Sequence, residues 1–178
     1  MLLNSKLIFG LVAVVIVCSF SAVAKPQLLP PSTLDIAKYT VIGQARFSVL
    51  FWDIYDSRLL SSTGDYDTCE NQDLVFEIQY LKDIKAGELL TRTVEQWQHL
   101  SINQARYQAY LPKLAKLWPD IQQGDRLALL VSENASVFYF NNDYLGHIQG
   151  RDFGQLFLAI WLSPKSSQPE LRQQLLGK

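Results

Sequence analysis

The run Phe138-Tyr139-Phe140-Asn141-Asn142-Asp143-Tyr144-Leu145-Gly146-His147-Ile148, continued by Asp152-Phe153-Gly154-Gln155-Leu156-Phe157-Leu158-Ala159-Ile160-Trp161-Leu162, carries more structural information than any other part of the chain. It reads as a strand, a tight turn at Gly146 and an aromatic helix. In the helix, Phe153, Leu156, Phe157, Ile160 and Trp161 recur at i, i+3, i+4, i+7 and i+8, an unbroken apolar stripe. Such a stripe has to lie on a sheet. Its large side chains then either fill a core or line a cavity, and that choice is the functional question.

Upstream of this run, the turn Gln123-Gly124-Asp125 leads into a strand from Arg126 to Val131, and Glu133-Asn134-Ala135-Ser136 makes a hairpin turn into Val137–Phe140. Before that the period is helical. Leu90, Val94 and Trp97 share one face, and Tyr107, Leu111, Leu114 and Trp118 resume the spacing after a break near His99 to Ser101. Pro112 should kink the second helix or start a new one. Earlier still, Leu74, Phe76, Ile78 and Tyr80 alternate with Val75, Glu77 and Gln79, the pattern of a strand buried on one face. From Lys38 to Leu60 β-branched and aromatic residues dominate, with a bend or bulge expected at Gly43 inside a long strand pair. At the other end, Ser167, Pro169 and Glu170 suggest a capping box opening a helix through Leu171 and Leu175. Strands, a helical pair, strands and helices in that order describe an α+β domain with an antiparallel sheet.

The chain has 178 residues, 48% hydrophobic and 19% charged, with a formal net charge of -1. This suits one globular domain with a real core and argues against a nucleic-acid partner held by phosphate neutralisation. His99 and His147 lie far apart and the cysteines number two, so no Cys/His metal site of ordinary spacing is expected. No G-x-G-x-x-G or P-loop occurs, which disfavours a nucleotide fold, and no cofactor is expected.

Lys6, the apolar run from Leu7 to Phe20 and the Ala22-Val23-Ala24 cleavage pattern mark residues 1–24 as a signal peptide. The run is short of the roughly 20 residues a spanning helix needs. An extended, proline-rich leader (25–32) and a domain (33–178) follow. The expected location is therefore outside the cytoplasm, in a bacterial periplasm, with no permanent membrane span after cleavage. Cleavage would leave Cys69 as an unpaired loop thiol, or one free to pair with another molecule.

Several stretches together resemble the chalcone isomerase-like family, in its exported bacterial branch. They are Gly43-Gln44-Ala45-Arg46, Trp52-Asp53-Ile54-Tyr55-Asp56-Ser57-Arg58-Leu59, Glu77-Ile78-Gln79-Tyr80 and Arg92-Thr93-Val94-Glu95-Gln96-Trp97. Trp118-Pro119-Asp120 through Gly124-Asp125 continues the series, then Gly146-His147-Ile148 leading to Phe153 and Ile160-Trp161-Leu162. The resemblance implies an open-faced β-sandwich: a curved antiparallel sheet with a layer of helices on one face. It also implies a cleft between the layers for an apolar ligand, a flavonoid precursor or a fatty acid. In the plant enzymes of the family an arginine stabilises the developing enolate, helped by a threonine, a tyrosine, an asparagine and water. Arg46 is its counterpart here by position. Where the threonine would stand the chain reads Arg58-Leu59-Leu60, the local tyrosine is Tyr55, and the helical region offers no clear match beside Trp97, Asn103 and Tyr107. Most of the catalytic set is therefore missing.

The candidate ligand-binding residues are Arg46, Tyr55, Tyr80, Trp97 and Tyr107. Arg46 would meet a ligand carboxylate, or else lie on the solvated sheet face, or pair with Asp53 or Asp56. Tyr55 and Tyr80 would offer hydroxyls to a head group or pack as core tyrosines. Trp97, Tyr107 and Trp118 would face the sheet, as packing or as cleft wall, and His147 reads as a turn or strand residue. Three functions follow. One is a non-catalytic exported binder of an apolar small molecule such as a fatty acid. Another is an isomerase or lyase acting on an enone with Arg46 and Tyr55. The third is a structural or accessory protein whose cleft is filled.

Overall fold

The computed structural model describes residues 30–66 and 72–178. The segments 1–24 and most of 25–32, with Cys18 and Cys69, lie outside the described residues.

β-Branched and aromatic residues set up six strands: β1 (Thr40–Val49), β2 (Trp52–Ser61), β3 (Leu74–Tyr80), β4 (Arg126–Val131), β5 (Ala135–Phe140) and β6 (Asp143–Gln149). They pair antiparallel in sequence order, so each strand neighbours the next in the chain. Helices α1 (Ala86–His99) and α2 (Leu111–Leu117) fill the connection from β3 to β4, and α3 (Asp152–Leu162) and α4 (Pro169–Leu175) follow β6. All four helices bury side chains in one core with Ala45, Leu59, Phe76, Ile78, Leu129 and Phe138 of the sheet. The expected open-faced sandwich is the observed architecture.

Backbone contacts explain how the helices are held. Asp120, of the Trp118-Pro119-Asp120 motif, accepts from the Ala86 amide at 2.9 Å and pairs with Lys85 at 2.8 Å, capping α1 from a distant loop. The Ser136 hydroxyl on β5 accepts the free Gly154 amide in the first turn of α3 at 2.9 Å. Arg172 of α4 donates to the Leu162 carbonyl at the other end of α3. A bulge between Val41 and Gly43 bends β1, as its glycine suggests.

Three local expectations need correction. The tight turn of the C-terminal run is at Asn141-Asn142, both with positive φ (50° and 76°), the signature of a type I′ hairpin. Gly146 lies inside β6 instead, where a Cβ would stand 2.3 Å from the Leu117 Cδ1 of α2, so a larger residue there would require that side chain to turn aside. β3 is buried on both faces rather than one. Its second face is covered by Leu34, Ile36 and Tyr39, which pack on Leu60, Val75, Leu130 and Tyr139 as a second, smaller cluster. Ser167 caps nothing: its hydroxyl donates to Gln96 on α1, and α4 begins instead on Pro169 in its first turn. Pro112 does start a helix, α2, after a 3-10 turn at Gln104–Arg106.

Candidate functional site

The apolar stripe of α3 fills the core along one half and lines a cleft along the other. Its first half closes on the sheet. Phe153 and Phe157 both pack against Phe138 at 5.9 Å, and a Cβ on Gly154 would stand 2.4 Å from Val131. Toward its other end the helix spreads over β2 and β3, and there Phe157, Ile160 and Trp161 form one wall of a cleft of about 460 Å³. Phe47, Tyr55, Ile78 and Tyr80 form the sheet wall, and Ile84, Leu89 and Thr93 the side toward α1. Pockets of roughly 300–1,000 Å³ with mostly apolar walls and a few polar groups are the usual small-molecule sites.

Two phenols supply polar groups inside that cleft. The Tyr55 oxygen accepts from the Trp161 indole at 2.9 Å, and its ring contacts Phe47 and Tyr80 at 5.1 and 6.2 Å. Burial pushes the Tyr55 phenol up to about 12, an effect the Trp161 hydrogen bond partly opposes. Tyr80, only 2% exposed, is also pushed up by burial and by the neighbouring Tyr55. Both are thus neutral hydroxyls at physiological pH. No described residue accepts the proton of either, so the cleft holds two unspent hydrogen-bond donors. Neutral phenols held this far from ionisation make poor general bases. At the mouth stand Lys82, Glu88 and the Arg92–Glu95 ion pair at 2.9 Å, all exposed. Lys82 has no ion-pair partner among the described residues.

Of the five residues singled out in the sequence, the structure brings Tyr55 and Tyr80 together and leaves three elsewhere. Arg46 points to the opposite face of the sheet. There it is clamped by Asp56 (2.7 and 2.8 Å) and Asp53 (3.0 Å) with its side chain 55% exposed, so it cannot meet a head group in the cleft. The alternation of β1 explains this: Ala45 and Phe47 face the helices, so Arg46 faces away. The Asp56 carboxylate above all holds its guanidinium protonated, and Ser48 and Arg46 hold Asp53 below the usual carboxylate value. Trp97 and Tyr107 are core residues, 0% and 3% exposed. They stack at 4.9 Å, and the Trp97 indole donates to the Leu156 carbonyl at 3.0 Å. The expectation that these two line the cleft with Tyr55 is corrected, as is the pairing of Arg46 with Tyr55 as reaction partners. His147, in β6, makes a 2.7 Å hydrogen bond with the Tyr144 hydroxyl, far in sequence and place from the cleft residues.

The sequence reading missed Leu89, Thr93 and Lys82 as cleft residues, and left open whether the α3 stripe fills the core or lines the cleft. The α3 stripe was the one available signal, since it exceeded what a single contact line needs. Arg46 faces a second, charged depression of about 560 Å³ shared with Arg58, Glu77 and Arg126. Its Arg58–Glu77 pair at 2.8 Å is already closed across β2 and β3. No group of acidic, His or Cys residues among the described residues is arranged to hold a metal.

Comparison with known proteins agrees with this geometry. An uncharacterised protein of Haemophilus influenzae is 29% identical over 147 residues, covering 83% of this chain and 72% of the relative. Among solved structures, the crystal structure of an Arabidopsis thaliana fatty-acid binding protein superposes with a TM-score of 0.64 at 10% identity, over 83% of this chain and 90% of that one. At that identity the likeness is one of fold. The sequence model of the family described as chalcone isomerase-like matches residues 45–177, from the middle of β1 to the end of α4, and the chain therefore belongs to the chalcone isomerase-like family.

Proposed function

We propose that this protein is a non-catalytic binder of an apolar small molecule with one polar head, a fatty acid or a similar acyl compound, exported to the periplasm on the pattern of its first 24 residues. The observation that carries the reading is the cleft between α1, α3 and the sheet: aromatic and aliphatic walls around two phenol hydroxyls whose protons no described residue accepts. An ionised carboxylate is costly to bury without a cation. The cationic lining residues, Lys82 and Arg92, both stand at the mouth. The acyl chain therefore runs inward and a charged head stays at the rim, while Tyr55 and Tyr80 serve any neutral oxygen that enters deeper. The solved fatty-acid binding protein of the same fold is consistent with such use of the space between layers.

The isomerase reading loses its electrophile, because Arg46 and the cleft lie on opposite faces. Displacement of a fluorescent fatty acid from the purified protein tests the proposal, with Leu89→Trp to fill the cleft from α1 and Lys82→Ala to remove the rim cation. We expect binding by the wild type, about tenfold or greater weakening with the filled cleft, and a smaller loss with Lys82→Ala. Wild-type binding that survives Leu89→Trp unchanged would place the ligand elsewhere.

A further inference from the structure

The hairpin joining β1 and β2 ends in Val49-Leu50-Phe51-Trp52, four large apolar residues in a row, exposed at 47%, 88%, 97% and 74%. A two-residue hairpin turn asks for Asn, Asp or Gly where φ is positive. Here Leu50 occupies that conformation with φ 56°. The turn does not need these side chains, and the backbone is strained to carry one of them. Exposed apolar residues scattered singly are ordinary, but a contiguous apolar projection marks an interaction site.

We propose that this tip docks on a phospholipid bilayer, seating the mouth of the cleft at the membrane surface. Three observations favour a lipid surface as the occupant. The tip is narrow: Val49 and Trp52 pair across it and so share one face, and Leu50 and Phe51 form the turn beyond them, 88% and 97% exposed. A flat protein partner would cover one side of such a point, whereas a fluid apolar phase covers all of it. Immediately behind the tip the chain turns polar: Ser48 donates to Asp53 at 2.6 Å and Arg46 pairs with Asp53 at 3.0 Å, a collar at the depth where headgroups would lie. Trp52, apolar body with an indole N–H, is the residue type that settles at that boundary. Finally, the tip is continuous with the cleft. Val49 and Ile54, on either side of it, line the cleft, and Lys82, held beside β2 by the Leu81 amide on the Ile54 carbonyl, stands at the same mouth. Loading an acyl chain directly from the bilayer rests on the ligand reading above. Docking itself does not.

Flotation of the chain from residue 25 onward, the product expected after signal cleavage, with phosphatidylcholine vesicles, with and without phosphatidylglycerol, tests docking with no fatty acid present. Brominated phosphatidylcholine adds a local readout by quenching Trp52, with Trp52→Phe giving the contribution of the other three tryptophans. The expected result is vesicle binding that changes little with salt, Trp52 emission that shifts to the blue and is quenched, and about a hundredfold loss of partitioning in Leu50→Ser/Phe51→Ser, at about tenfold or more per side chain. Because both positions project from the fold, that variant should keep its thermal midpoint. The single Phe51→Ser, expected to lose about tenfold, stands in if it does not. Equal partitioning of wild type and variants, or an unquenched Trp52, overturns the proposal. So does a concentration-dependent dimer that the double variant abolishes in the absence of vesicle binding, which would assign the tip to a second copy of the chain.

Discussion

Tyr55 shows how one side chain serves packing and chemistry together. Its oxygen is the acceptor for the Trp161 indole, which ties β2 to α3 across the cleft. Replacing it with Phe strands that partly buried N–H and should destabilise the protein by about 1 kcal/mol in denaturant titration. The same residue makes an alkaline prediction. Its folded-state value, about 12, lies above the ordinary 10.0, so the folded state keeps its proton where the unfolded chain loses it. The stabilisation is complete below pH 10 and fades as pH climbs from there to about 12, with a slope of up to about 1.4 kcal/mol per pH unit from this group. Tyr55→Phe should flatten the alkaline limb of the stability profile. A limb equally steep in that variant would show that the phenol is not held neutral by burial.

At the scale of elements, the bend of β1 and the seating of α4 are one feature. A Cβ on Gly43 would lie 2.1 Å from the Gln174 carbonyl oxygen and 2.6 Å from that of Leu175, both backbone atoms that cannot swing aside. The glycine is required by this close approach, since its φ is not among the positive values in the chain. Gly43→Ala should therefore lift α4 off β1 and cost about 1–3 kcal/mol or more, read as a lowered denaturation midpoint. An alanine variant as stable as the wild type would mean that α4 docks loosely. The sequence showed the bulge but not what lay on it, because a glycine kept for close approach looks like a glycine kept for a turn. That ambiguity also moved the last hairpin turn to Gly146, when Asn141-Asn142 carried the left-handed signal. Periodicity did locate α1 and α3, and the turn at Gln123-Gly124-Asp125 located β4. It said less about Arg46, because alternation alone does not tell which face the helices cover. Trp97 and Tyr107 show the same limit in helices: a residue facing the sheet can fill the core or line a gap, and the gap depends on how two helices diverge.

Across the whole molecule, the sheet separates two environments. One face carries the helices and the apolar cleft, and the other carries the N-terminal strap over Leu60, Val75 and Leu130 beside the charged group of Arg46, Asp56, Arg58 and Glu77. The strap and the charges leave little apolar surface open on that second face. The cleft is different: α1 and α3 bring its walls together without closing it, so apolar area there stays open. A ligand that binds only the folded state stabilises it by mass action, about 2.7 kcal/mol at a free concentration one hundred times its dissociation constant. For a domain of this size that corresponds to a rise of roughly 5–10 °C in the unfolding midpoint. Thermal melts of the purified protein with a saturating long-chain fatty acid should show this rise, and the Leu89→Trp variant should lose most of it. A rise equally large in both proteins would put the occupant outside the space between α1, α3 and the sheet, and no rise in the wild type would mean that this chain folds around its cleft for a ligand of another kind.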